Sequence, residues 1–392
     1  MRIVLCENGL RGRDGHHFNL AASLREELAA RGIPLALLVH ADAEAMVRVE
    51  LEANAVFRAS PYDDVPAVAN PRRLIEACLR SAWAFQAGLR RARIRPGDVV
   101  MIATARPAET LGIAIWSWTQ RTRPAAVVMN FMTDDPATYP TGGILPFLYR
   151  LGTLLTRMRL GDDVLLMTET PALAAAMTKV VHAPVVPFPL IKTYPPLGGS
   201  ADGSSPTIAF LGQTRPDKGA ALLPEVVQRC ATAHPDARVV VQLRADAAQA
   251  PAGGWRANVE TLPIALDRGR YLELLHRAEV VVLPYDRQTF GLKASGIFTE
   301  AVGCAAVTVV PAQTWMAEML AGGRAAGVTF EEFSADTIVD AVGRAIAELI
   351  PLREQALARC ESWRTEHSAP TFVDRLLRAL AVSHVPAGLA RG

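Results

Sequence analysis

Short runs that are apolar at nearly every position recur along this chain, and a stretch with helical spacing of apolar residues follows most of them. In the first half the clearest runs are residues 2–6, IPLALLV at 33–39, VVMIAT at 99–104, AVVMN at 126–130 and VLLMT at 164–168. A strand with one face in water alternates apolar and polar residues, so a continuous run belongs to a strand covered on both faces. Helical spacing is predicted over 18–28, 71–93, 107–121, 144–160 and 171–180, and PVVPFP at 184–189 closes the series. Strand, helix, strand in repetition is the pattern of a parallel, doubly wound sheet.

The pattern stops once and restarts. Residues 192–206, KTYPPLGGSADGSSP, have linker composition. Strands are then predicted at 207–212, 238–243, 280–285 and 307–310, with helices over 220–233, 267–277, 295–304 and within 334–360. The expected fold class is α/β, with two doubly wound, Rossmann-like parallel-sheet domains facing across a cleft. The expected domains are 1–191 and 207–370, joined by 192–206, with a last helix in 371–392 free to pack back on the first domain. A length of 392 residues suits two such cores.

A net charge of +2 and 6% aromatic residues, not interleaved with basic runs, argue against nucleic acid as a partner. Five cysteines without a CxxC pair argue against a metal site or disulfide framework and suit a reducing cytosol. No apolar run is long enough to span a membrane, and the N-terminal run is too short for a signal peptide. A cytoplasmic protein is expected. Peripheral contact with the membrane face remains open through the stretch 145–160, whose Arg150, Arg157 and Arg159 suit anionic lipid; a surface helix with one buried face would have the same pattern.

Two loops of the second half carry anion chemistry. Gly212 to Gly219 (GQTRPDKG) joins a buried strand to a helix. Glycine lets backbone approach an anion, a helix N-terminus points N–H groups at it, and Arg215 and Lys218 add charge. A solvated loop with two surface cations would look the same. Ser295, Gly296 and Ile297 form a second loop-to-helix junction, with Glu300 one turn further in, where a carboxylate can accept from a ribose diol. Here the plain alternative is a serine cap and a glutamate complementing the helix dipole.

These residues resemble the large, mostly retaining GT-B glycosyltransferases of the bacterial group 1, family 4-like type. Their loop has the looser form G-Q-x-R-P-x-K-G, matched at 212–219, and a later E-x7-E, whose second acid is matched by Glu300 within Ser295 to Ala301. The resemblance covers about 205–330 strongly and 1–190 in topology. It implies that Gly212, Arg215, Lys218, Ser295, Gly296 and Ile297 bind the donor diphosphate and that Glu300 binds the ribose. It departs at Gln213, where the stricter form has arginine, and at Leu292, where the first acid of the pair stands. Asn130 departs as well, since the family often has a histidine near it.

In the first domain, Gly12 to Phe18 (GRDGHHF) follows the first strand. Gly15 and His16 are candidates for the acceptor or phosphate loop, His17 for a catalytic base and Asp14 for an inverting-type base. Helix capping by Asp14 with exposed histidines is the alternative. Asp134 or Asp135, after the strand ending at Asn130, is a further base candidate or an Asx turn before Pro136.

The function implied is transfer of a sugar from a nucleoside-diphosphate sugar to a saccharide or lipid-linked acceptor in bacterial surface polysaccharide or glycolipid synthesis. No cofactor or metal is expected, because side-chain cations replace the ion. Two alternatives stay open: a non-catalytic scaffold that kept the fold, and a nucleotide-sugar 2-epimerase.

Overall fold

The computed structural model describes residues 1–13, 15–63, 71–132, 143–196, 205–213, 215–243, 251, 253–264 and 266–383. The chain divides into two compact units, residues 1–191 with 369–392, and residues 192–368.

The first unit is built on strands β1 (Arg2–Glu7), β2 (Leu35–His40), β3 (Asn54–Phe57), β4 (Asp98–Ile102), β5 (Ala126–Asn130), β6 (Val164–Thr168) and β7 (Val186–Pro187). They pair in parallel in the order β3-β2-β1-β4-β5-β6-β7. Helices α1 (His16–Ala30), α2 (Ala45–Glu50), α3 (Pro71–Arg91), α4 (Pro107–Thr119), α5 (Ile144–Leu160) and α6 (Pro171–Val181) connect them. Strand residues such as Val4, Leu5, Val100 and Val128 are fully buried, as continuous apolar runs require.

The second unit repeats the plan with β8 (Thr207–Phe210), β9 (Arg238–Leu243), β10 (Val259–Pro263), β11 (Val280–Val282), β12 (Val307–Pro311) and β13 (Gly327–Phe330). The order is β10-β9-β8-β11-β12-β13, again parallel throughout. Its helices are α7 (Leu223–Ala233), α8 (Arg268–Arg277), α9 (Arg287–Phe290), α10 (Gly296–Gly303), α11 (Trp315–Ala321), α12 (Ala335–Ala347) and α13 (Leu349–Glu366). The next helix, α14 (Ala369–Ser383), belongs to the first unit. There Phe372, Val373, Leu376 and Leu380 join a core with Ile3, Leu24 and Leu28, and Arg31 pairs with Asp374 at 2.5 Å.

The two-sheet α/β architecture stands as expected; several local expectations do not. β3, β10 and β13 were not anticipated, because each is short and only partly buried and so lacks a continuous apolar run. β11 ends at Val282 rather than 285, since Pro284 has no N–H to continue a ladder. α1 begins at His16, which places both histidines in its first turn rather than in the loop. The segment from Lys192 is not a free linker at its start. The Lys192 amide donates to His367 O at 2.8 Å, and the Tyr194 ring lies where a Cβ on Gly303 would be. All five cysteines are buried thiols, small core residues as expected.

Candidate functional site

In a doubly wound sheet the strand order reverses at one point, and the loops leaving the carboxyl ends of the two strands there diverge to leave a crevice. In the second unit that point lies between β8 and β11. The loop after β8 carries Gly212 to Lys218; the loop after β11 leads through α9 to Ser295. The reversal thus brings both candidate loops to one sheet edge.

Packing locks them together. Gly212 has φ 102°, and a Cβ there would collide with the Cδ1 of Ile297 in the first turn of α10. The Gly212 amide donates to Gln242 Oε1 at 2.7 Å, and Gln242 Nε2 donates to Pro263 O at 3.3 Å, tying the ends of β8, β9 and β10. A single 3-10 turn, Pro216–Lys218, ends at Gly219, whose φ of 78° lets the backbone pass against the Pro284 carbonyl. Lys218 Nζ stands 5.1 Å from the centre of the buried Tyr285 ring, a cation–π distance. Burial and the nearby Arg215 push its ammonium down to about 8. Gly212, Gln213, Lys218, Gln242, Pro284 and Tyr285 line a small recess there.

The other candidates sit as follows. Arg215 is exposed and gives both Nε and Nη2 to Asp217, at 3.0 and 2.5 Å. The Ser295 hydroxyl accepts from the Phe298 amide at 3.2 Å, so its oxygen is a helix cap, while the Gly296 and Ile297 amides have no partner within the helix. Glu300 is buried at 4% exposure and is not a free acceptor. It receives Tyr271 Oη at 2.9 Å, Arg268 Nη1 at 2.9 Å and Lys192 Nζ at 3.3 Å. Burial alone would raise its pKa; the Lys192 and Arg268 charges and the Tyr271 hydroxyl outweigh it, and the carboxylate is held below its ordinary range. Leu292 is half-buried between α9 and α10 and brings no carboxylate.

In the first unit the order reverses between β1 and β4. Glu7 ends β1, fully buried, and one of its oxygens lies 2.7 Å from His17 Nδ1. His17 Nε2 lies 2.9 Å from Tyr62 Oη, which is also 3.4 Å from His16 Nε2. A Cβ on Gly9 would stand 2.6 Å from the His17 ring, so glycine makes room for it. The second Glu7 oxygen is buried without a hydrogen-bond partner among the described residues. With Nδ1–H given to the carboxylate, Nε2 is the basic nitrogen and the Tyr62 hydroxyl donates to it. Beside this group, Glu109 in the first turn of α4 accepts from Asn8 Nδ2 at 2.8 Å and from the Arg106 amide at 3.1 Å; burial raises its carboxyl to about 7.

Gly15 occupies the N-cap position of α1 with φ 88°, where glycine is at ease, and the ring of the next residue, His16, lies 3.8 Å from that of His17, tilted by 38°. The alternative with both histidines exposed fails for His17, which is 8% exposed. Asn130 donates to Ala103 O at 3.0 Å, spanning the ends of β5 and β4. Asp14, Asp134 and Asp135 lie outside the described residues.

Sequence reasoning missed Glu7, Tyr62, Lys192, Gln242, Arg268 and Tyr271. Glu7 and Gln242 carried a signal, each a polar residue at or next to the end of an apolar strand. Lys192, Arg268 and Tyr271 carried none, since only folding brings them to Glu300.

No protein-family model and no curated protein matches the chain. Solved structures resemble it over nearly its whole length. Sucrose-phosphate synthase from Thermosynechococcus elongatus is 15% identical, with 97% of this chain and 99% of that one covered and a TM-score of 0.63. HepE from Anabaena, solved with UDP, is 13% identical over 97% and 100%, at 0.65. The N-terminal domain of trehalose-6-phosphate phosphatase from Candida albicans is 10% identical over 98% and 97%, at 0.68. Such identities show a shared fold, the GT-B architecture of two Rossmann-like domains, and a shared fold hosts more than one chemistry.

Proposed function

We propose that the chain is a glycosyltransferase that takes a sugar from a nucleoside-diphosphate sugar and passes it to a saccharide or lipid-linked acceptor. One observation carries this. At the switch point of the second sheet, the Lys218 ammonium and the open N-terminus of α10 converge through the Gly212–Ile297 contact, with an ionised Glu300 one turn inward. Cation and amides suit a diphosphate; the carboxylate suits a ribose. Structures of HepE with UDP and with UDP and glucose support the same ligand class.

In this reading Lys218, Arg215 and the Gly296 and Ile297 amides hold the diphosphate and stabilise the charge that develops as the glycosidic bond breaks, in place of a metal. His17, oriented by Glu7, takes the Tyr62 proton as Tyr62 takes that of the acceptor hydroxyl, or takes it directly where the acceptor hydroxyl displaces Tyr62 from Nε2. Asp14 and Asp134 remain candidates for the same role.

Family resemblance implies retention at the anomeric carbon. The Glu7–His17 pair favours inversion instead, because direct displacement needs a base on the incoming hydroxyl. The anomeric configuration of the product, read by NMR, decides between them.

Titrating the protein with UDP, GDP, ADP and their sugar conjugates by calorimetry tests the donor site. We expect one diphosphate to bind and its sugar conjugate to hydrolyse slowly. Binding without hydrolysis, with or without added acceptors, would favour a scaffold, to which Leu292 and Asn130 lend weight. No binding at all would end the proposal.

We also propose cytoplasmic residence with peripheral membrane contact through α5. Among the described residues no helix is long and apolar enough to cross a membrane. Phe147, Leu154 and Met158 are exposed on α5 beside Arg150. Flotation with anionic but not neutral vesicles is the expected result; equal flotation with both, or with neither, would count against it.

A further inference from the structure

We infer that Lys192 is a phosphate ligand of the donor site, a proposal that rests on the diphosphate assignment above. Its ammonium stands beside the first residue of α10: a Cβ on Gly296 would be 2.8 Å from Nζ, and the side chain is 8% exposed. A helix N-terminus carries partial positive charge and gathers anions, so a cation parked there is out of place by itself. Glu300 offsets it through one long hydrogen bond of 3.3 Å. An ammonium has three donors. Among the described residues Glu300 is its one partner, and a negatively charged oxygen seated where the Gly296 and Ile297 amides also point suits the remaining donors and the helix end best.

Lys192 is held in position. Its amide is bonded to His367 O, and two residues on, Tyr194 packs on Gly303 and donates to Thr299 O at 3.4 Å. The segment 192–194 is thus an arm laid along α10 that delivers a cation to its start. Glu300 keeps Arg268 and Tyr271 when Lys192 turns to a phosphate, so the ribose carboxylate stays ionised and oriented.

The experiment is calorimetric titration of the full chain, Lys192→Met and Gly296→Ala with the nucleoside diphosphate that the wild type binds and with its 2′-deoxy analogue. Loss of a charge-assisted hydrogen bond predicts about 10–100-fold weaker binding for Lys192→Met. The factor should be the same for both nucleotides, because the contact is to phosphate. Gly296→Ala, which displaces the ammonium without removing it, should weaken binding in the same direction. A factor that shrinks below about twofold on the deoxy nucleotide would overturn the proposal, showing that Lys192 acts through Glu300 on the ribose. So would unchanged binding of both. Should Lys192→Met melt near the assay temperature, Lys192→Gln, which still donates to Glu300, takes its place. Failure of the wild type to bind any diphosphate would instead remove the donor site itself.

Discussion

The imidazole Nδ1 of His17 lies 2.7 Å from a carboxylate oxygen of Glu7, joining the end of the first strand to the first turn of the first helix. A buried carboxylate in that position fixes the imidazole tautomer and stabilises the imidazolium that forms on proton uptake. His17→Ala should lower turnover by about 10²–10⁴-fold, the usual worth of general base catalysis, and leave diphosphate affinity unchanged. Glu7→Gln, which can still accept from Nδ1–H, should lose less. Steady-state kinetics beside calorimetry checks both. A His17→Ala enzyme with full turnover would remove it as the base.

Lys218 makes donor binding depend on pH. Burial beside Arg215 brings its ammonium down to about 8, so diphosphate affinity should fall as pH rises through that value. The bound anion favours the charged form, and binding near pH 8–9 should take up a proton. Calorimetry in two buffers of different ionisation enthalpy measures this, and Lys218→Ala should abolish it while weakening binding by about 1.5–3 kcal/mol. Arg215→Ala should cost less, because that guanidinium is exposed and already shared with Asp217. For stability the sign is opposite: between about 8 and 10.5 the unfolded chain holds the Lys218 proton more tightly, so this group's contribution rises with pH.

Gly212→Ala should lose stability and affinity together. The new Cβ meets Ile297 Cδ1 at a φ of 102°, which L side chains rarely adopt. A destabilisation of more than about 1 kcal/mol is expected from backbone strain. Thermal melting with and without diphosphate reads both effects; a variant that melts and binds like the wild type would show that the two loops are not locked here.

Glu109 predicts a pH effect in the first unit. Its carboxyl is raised from 4.5 to about 7 by burial, so the folded chain binds more protons between those values and stability should fall as pH rises from 4.5 to 7. The shift corresponds to something on the order of 3 kcal/mol. Glu109→Gln should flatten that part of the curve, as measured by denaturant titration. A curve of unchanged slope would assign the dependence elsewhere.

Both sheets were legible because parallel strands buried on two faces leave unbroken apolar runs, as at 99–104 and 280–282. Edge strands such as β10, none of whose residues is fully buried, leave none. The phosphate loops were legible for local reasons: two glycines and two cations within eight residues at 212–219, and a serine and glycine at a helix start at 295–296. The network around Glu300 was not, since Lys192 and the α8 pair Arg268 and Tyr271 lie in segments apart from Glu300 and meet it through packing alone. Lys192 was hidden further by its neighbours, whose prolines and glycines read as linker although its backbone is bound. His17 was legible as chemistry, but its partner Glu7 looked like the polar end of a strand.

The placement of α14 has a consequence for biosynthesis. Its Phe372, Val373, Leu376 and Leu380 complete a core that begins at Ile3. A ribosome makes the whole of residues 192–368 before it makes them. The second unit, continuous in sequence, can close as soon as it emerges. The first, although synthesised earlier, must wait with part of its apolar surface uncovered, and a nascent chain cut short before residue 369 would leave the older half of the molecule unfinished and the younger half whole.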